Sequence, residues 1–314
     1  MIKKAFSTLK LLRPRQWIKN LAVFAAITFN GGLLNTVLLQ QVLVAFFIFC
    51  GLSSAIYIMN DIFDIEKDRL HPFKKFRPLA NRSLSISFAL IIAFVLTALS
   101  LWAGSSIGKG FFILMITYLF LQVYYSMVLK HIAIIDILAL AGGYILRVYA
   151  GEFATGLHIS VWLLLTTISI SLFLAIGKRR SELTLISKYS DAQKKLVRSS
   201  LSHYSERLLD VYASIFATST FITYALFTFL ENQTGYKPSF GFLMPQFLPE
   251  FLQKKWLMIT IIPVVYGLMR YLQDIYEKHE GESPDKVLLS DRPLLITVII
   301  WVVLVISTIY LFGG

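Results

Sequence analysis

Cysteine is almost absent. The chain has one, Cys50, in 314 residues, so neither an intramolecular disulfide nor a cysteine metal site can form. Histidine is scarce at five residues, none with metal-pair spacing. A Walker loop and a G-x-S-x-G elbow are both missing, and no transporter-like internal repeat is visible. Acidic residues number only 18 against 30 Lys and Arg, for a net charge of +12. Such an excess would suit nucleic acid if it formed a surface, but charged residues are just 15% of the chain while hydrophobic residues are 56%. That balance excludes an ordinary soluble domain.

Runs of about 20 apolar residues read as membrane spans. They fall at 20–38, 40–60, 84–104, 108–128, 132–151, 159–177, 208–230, 256–273 and 293–312. The sequence thus predicts an all-α polytopic membrane protein, one bundle of about nine transmembrane helices over residues 1–314. Asn30-Gly31-Gly32 interrupts the first run. Basic residues recur as far as Lys19 with no apolar core and cleavage site before them, so the start does not read as a signal peptide. Lys and Arg gather before the first span, between the second and third, and between the sixth and seventh, whereas the opposite loops hold only Lys109, Lys237, Lys254 and Lys255. The positive-inside rule then puts the N-terminus and the charged loops in the cytoplasm and the C-terminus outside, as in a multi-pass protein of the inner (plasma) membrane. The same charge attracts anionic lipid and gives no reason to expect a nucleic-acid partner.

The scarce acids are concentrated. Asn60-Asp61-Ile62-Phe63-Asp64-Ile65-Glu66-Lys67-Asp68 lies where the second span leaves the membrane. On a helix Asp61, Asp64 and Asp68 share one face, Asn60 is in line with Asp64 and Asp68, and Glu66 points away. Carboxylates crowded this way repel unless a cation lies between them, and an oxygen-only set suits Mg²⁺, which commonly takes one or two carboxylates plus substrate phosphates. A solvated helix end is the plainer alternative. Lys67 lies within that segment and His71-Pro72-Phe73-Lys74-Lys75-Phe76-Arg77-Pro78 follows it, so Lys67, Lys74, Lys75 and Arg77 set cations beside the acids. Acid for metal next to base for phosphate suggests a diphosphate site.

Further polar groups fall on the same side. In Arg13-Pro14-Arg15-Gln16-Trp17-Ile18-Lys19-Asn20, Arg15 and Lys19 are spaced i, i+4, as are Gln16 and Asn20. The pattern fits either a positive-inside anchor with a belt tryptophan or a phosphate holder. Tyr125 and Lys130 end span four, and Asp136 lies early in span five, where a carboxylate usually faces a bundle interior. Arg147 lies deeper, with Glu152 or backbone carbonyls as expected partners. Lys178-Arg179-Arg180 ends span six. Three adjacent helical residues point about 100° apart, so one or two of them should face the bundle centre, with Arg180 nearer Glu182. Ser290-Asp291-Arg292-Pro293 reads as the start of the last helix. His158 has no evident partner.

The segment from Asn60 to Arg82 resembles the first aspartate-rich motif of the UbiA superfamily of intramembrane prenyltransferases, and the nine-span layout matches. Arg13 to Asn20, Asn60 to Pro78, Tyr125 to Gly151, Gly177 to Glu182 and Leu289 to Pro293 together resemble its decaprenyl-phosphate phosphoribosyltransferase branch. Where ordinary members carry a second acidic motif after span six, this chain has Gly177-Lys178-Arg179-Arg180-Ser181-Glu182, which cannot ligate Mg²⁺ but can hold phosphate.

The resemblance implies transfer of phosphoribose from phosphoribosyl diphosphate to a polyprenyl phosphate. Mg²⁺ would rest on Asn60, Asp61, Asp64 and Asp68, with the three aspartates as the catalytic set. Lys19, Lys130, Lys178, Arg179 and Arg180 would offset repulsion between the two anionic substrates, with Arg77 near the diphosphate and Arg15, Asn20, Lys67, Lys74, Tyr125 and Asp136 also lining the site. A homo-oligomer is compatible with the sequence. Two other readings are a prenyltransferase with an aromatic acceptor and, in a different class, an anionic-lipid transporter.

Overall fold

The computed structural model describes residues 2–70, 74–187, 201, 203–230, 256–276 and 284–312. The helices are α1 (Ile2–Leu12), α2 (Ala25–Phe29), α3 (Thr36–Phe63), α4 (Ile65–Leu70), α5 (Ile86–Ser105), α6 (Lys109–Met127), α7 (Ile135–Thr155), α8 (Val161–Ser187), α9 (Glu206–Leu230), α10 (Ile261–Tyr276), α11 (Pro284–Ser290) and α12 (Arg292–Ser307). A 3-10 segment, Pro14–Phe24, leads into α2, another, Trp256–Thr260, leads into α10, and a π-turn, Thr308–Phe312, extends α12.

Eight of these helical stretches are long and apolar enough to cross a membrane, which makes the chain a multi-pass membrane protein. They correspond to the second through ninth expected spans. The first differs: it is helical only over Pro14–Phe29, begins as a 3-10 helix and stops at Asn30, ahead of the left-handed Gly31 at φ 71°. It is nevertheless packed inside the bundle, against α3 and α7.

Lipid replaces water around such helices, and their packing follows. On α5 the buried positions are small (Ala89, Ala93, Ser100 and Gly104) while Phe94 and Trp102 face outward. Small residues let backbones approach, and large apolar ones meet acyl chains without penalty. One close approach joins the 3-10 segment to α7, where a Cβ on Gly151 would lie 1.9 Å from the Val23 carbonyl oxygen. Asn35 caps α3, accepting from the backbone N–H groups of Val37 and Leu38.

Helix length then places the charges. At 28 residues α3 is about 42 Å long, against an apolar layer of about 30 Å. Its last turns, with Asn60 and Asp61, therefore project beyond the layer. The 27-residue α8 does the same with Lys178 to Glu182. The C-termini of α3, α6 and α8 and the N-terminus of α7 meet at one end of the bundle.

Candidate active site at one end of the bundle

Two clusters of buried charge occupy this end. In the first, α3 ends at Phe63, yet the i to i−4 hydrogen bonds continue through the break, from Asp64 N–H to Asn60 O (3.0 Å) and from Asp68 N–H to Asp64 O (2.8 Å). The facing predicted for a helix therefore survives. Asp61 and Asp68 are buried, Asn60 and Asp64 half-buried, and Glu66 is exposed. Arg77 Nη1 bonds both Asp61 Oδ1 (2.9 Å) and Asp68 Oδ2 (2.6 Å). Arg13 also donates to Asp61, and Lys130 Nζ pairs with Asp64 Oδ1 at 2.8 Å.

Two carboxylates thus converge on one cationic atom. Among the described residues no three His, Cys, Asp or Glu side chains gather closely enough to hold a metal by themselves. The donor set fits Mg²⁺ in its usual substrate-assisted form, with one or two carboxylates from protein and the remaining oxygens from phosphate.

The second cluster surrounds Arg179, which is 0% exposed and faces Asp136, also 0% exposed, with Nε 3.1 Å from Asp136 Oδ2. That contact has the distance of an ion pair without good hydrogen-bond alignment. Arg179 also pairs with Glu182 and donates to the Tyr125 hydroxyl at 3.0 Å. Tyr204 closes the other side of Asp136. Its hydroxyl donates to Asp136 Oδ1 (2.7 Å) and accepts from the backbone N–H of Ile134 (2.5 Å). Burial pushes the Tyr204 hydroxyl well above its ordinary pKa, so it is a neutral donor. Ile134 sits at φ 68°, a rare conformation for a β-branched residue. Contrary to expectation, it is Arg179 that meets Glu182, while Arg180 turns to Glu206 (3.0 Å) and Asp210 (2.7 Å) at the start of α9. Lys178 is half-buried.

Other expectations change because the Arg13–Asn20 motif is 3-10, not α. In a 3-10 helix residues i and i+3 eclipse. Lys19 therefore bonds Gln16, and the Arg15/Lys19 and Gln16/Asn20 pairings are replaced. Trp17 and Asn20 share the face toward α3, bonding Ser54 (3.0 Å) and Ser53 (3.1 Å). Arg147 donates to Asn20, Tyr118 and the Gly143 carbonyl, and Glu152 instead partners His158 at 3.0 Å. Asp291 caps α12, as expected, and also pairs with Arg270 at 2.8 Å. Arg15, Lys67 and Lys74 are exposed. His71, Pro72 and Phe73 lie outside the described residues.

Arg13 is the residue that sequence reasoning passed over. It holds a left-handed backbone at φ 53° and stacks its guanidinium 5.3 Å over the Tyr57 ring on its way to Asp61. Only the run of basic residues around it gave any signal.

The sequence profile of the UbiA prenyltransferase family matches residues 21–290. The chain belongs to that family. It is 33% identical over 309 residues to a decaprenyl-phosphate phosphoribosyltransferase of Corynebacterium glutamicum, covering 96% of this chain and 86% of that protein. The protein of the same name from Mycobacterium tuberculosis is 33% identical over 297 residues, covering 93% of this chain and 91% of its own length. A UbiA homologue from Archaeoglobus fulgidus, solved with DMAPP and Mg²⁺, has the same fold at a TM-score of 0.68, with 19% identity over 95% of this chain and 98% of that one. The all-helical bundle with its charged end is thus the UbiA fold.

Proposed function

We propose that this chain transfers 5-phosphoribose from phosphoribosyl diphosphate to a polyprenyl phosphate of the decaprenyl kind and releases diphosphate, supplying a precursor for cell-envelope polysaccharide. The observation that carries this reading is the 33% identity to decaprenyl-phosphate phosphoribosyltransferases over nearly the whole chain. The paired basic run Arg179-Arg180, standing where a second acidic motif would be, adds to it.

In this reading Asp61 and Asp68, with Asp64 and Asn60 beside them, would hold Mg²⁺, which would offset negative charge on the departing diphosphate. The bond between ribose C1 and the diphosphate oxygen breaks, and its electron pair leaves with diphosphate. A lipid-phosphate oxygen then bonds C1. A monoester phosphate has a second pKa near ~6 and is largely dianionic at neutral pH, so no residue has to remove a proton. Arg13, Arg77 and Lys130, now paired with the aspartates, are the cations that turn to the donor diphosphate. Exposed Arg15, Lys67 and Lys74 meet the donor as it arrives from the cytoplasm, and Lys19 with Lys178 screens the two substrates from each other. Tyr125, Asp136, Arg179 and Arg180 form the wall that receives the donor's 5-phosphate end, and Asn20 belongs to the floor.

The test is release of diphosphate by purified protein given phosphoribosyl diphosphate, polyprenyl phosphate and Mg²⁺, repeated with a chelator. Transfer that the chelator abolishes is the expected outcome. Use of a prenyl diphosphate with an aromatic acceptor, or lipid binding without donor consumption, would overturn the reading.

A further inference from the structure

Among the described residues, the buried and half-buried arginines come with carboxylates, apart from one. Arg13 has Asp61, Arg77 has Asp61 and Asp68, Arg179 has Asp136 and Glu182, Arg180 has Glu206 and Asp210, and Arg270 has Asp291. Arg147, in the middle of α7 and 4% exposed, is the exception. Its Nε donates to Asn20 Oδ1 (2.7 Å), Nη1 to the Gly143 carbonyl (2.6 Å) and Nη2 to the Tyr118 hydroxyl (2.5 Å). The rings of Tyr118 and Tyr144 lie 4.9 and 5.7 Å from the guanidinium. All these partners are neutral. They orient the cation without cancelling it, and a guanidinium keeps its charge and has five N–H groups to place. A full charge at membrane depth is costly unless an opposite charge meets it.

Its position is informative. Asn20 also bonds Ser53, which precedes Asp61 by two turns of α3, about 12 Å along the axis. Helical side chains lean toward the helix N-terminus, which in α7 is the end bearing Asp136. The bond to Gly143, one turn back, follows that lean. At Gly143 a Cβ would lie 2.5 Å from Gln122 Nε2 and 3.5 Å from Arg147 Nη1, so the glycine lets both polar groups rest against the backbone. The result is a polar cluster inside the bundle, below the acidic one, carrying net positive charge.

We propose that Arg147 receives the phosphate of the lipid acceptor, drawn into the bundle beneath the carboxylates; this rests on the phosphoribosyl-transfer reading above. The acidic cluster repels a second anion, whereas a cation with no carboxylate of its own attracts one, and the remaining N–H groups of the guanidinium can take phosphate oxygens. The surrounding apolar helices suit the tail.

The experiment uses the full chain in detergent without donor, measuring binding of three probes: a polyprenyl monophosphate, the matching polyprenol and inorganic phosphate. The wild type should prefer the lipid phosphate over the polyprenol by about tenfold or more, the value of one charge-assisted bond. Arg147→Met should erase that preference while leaving polyprenol binding unchanged. A preference that persists in Arg147→Met overturns the proposal, as does inorganic phosphate competing as strongly as the lipid. Should the Met variant not fold, Arg147→Gln, which keeps N–H donors and loses the charge, serves instead, and an undiminished preference there overturns the proposal equally. Because no donor is present, an Arg147-dependent preference without phosphoribosyl transfer would refute the transfer reading alone. Transfer with an Arg147-independent preference would refute only this site.

Discussion

Asp68 and Glu66 stand two positions apart and face opposite ways, the one buried on Arg77 and the other exposed. Asp68→Asn should therefore lower kcat by about a hundredfold or more, as loss of a metal-holding carboxylate costs several kcal/mol in the transition state. Glu66→Gln should stay within a factor of about two to three, typical of a surface change. Equal losses in steady-state assays would show that the cluster is not the metal site. Arg179 makes a different kind of case. Arg179→Ala leaves Asp136 buried without its guanidinium, a change worth about 3–5 kcal/mol. It should lower the unfolding temperature in detergent and raise donor KM together, because the same guanidinium holds Asp136 and faces the donor. At this scale the acidic face was legible, because helical spacing alone separates Asp61, Asp64 and Asp68 from Glu66. Arg13 was not, because its reach depends on a left-handed backbone that no local pattern announces. The partners of Arg147 were also hidden, since Asn20 and Tyr118 are 127 and 29 residues away.

Elements were easier to read where they are regular. Eight apolar runs became eight long helices because a backbone in lipid must satisfy its own hydrogen bonds, and a helix does so within one segment. The first run escaped because hydropathy does not distinguish an α-helix from a 3-10 helix, and an 11-residue 3-10 segment is rare. Its packing gives a sharp prediction. Gly151→Ala would drive a methyl group into the Val23 carbonyl at 1.9 Å, so Val23 or α7 must move. Overpacking of this kind costs about 1–3 kcal/mol. The variant should unfold several degrees below the wild type in a thermal scan, and an unchanged midpoint would mean that the two backbones are not in contact.

Among the described residues the carboxylate–arginine pairs gather at one end, and the other end, apart from Glu152 with His158, is joined by neutral bonds. The Tyr310 hydroxyl accepts from Leu33 N–H at 2.9 Å and lies 3.2 Å from the Ile27 carbonyl, and Trp301 donates to Tyr224 at 2.8 Å. If the charged end is cytoplasmic, a reporter fused after Gly314 should be active only outside, and one fused before Met1 only inside. The reverse pattern would turn the site to the wrong compartment for a water-soluble donor. The Pro14–Phe29 stretch then has a mechanical consequence. At about 2.0 Å per residue in its 3-10 part and 1.5 Å after it, the stretch reaches about 30 Å with few residues. It is held at both ends, by Arg13 on Asp61 and by Tyr310 beneath α2. Relaxing it to an α-helix would shorten it by about 5 Å. Each residue would also turn back by about 20° relative to the last, taking Asn20 off both Ser53 and Arg147 in one motion.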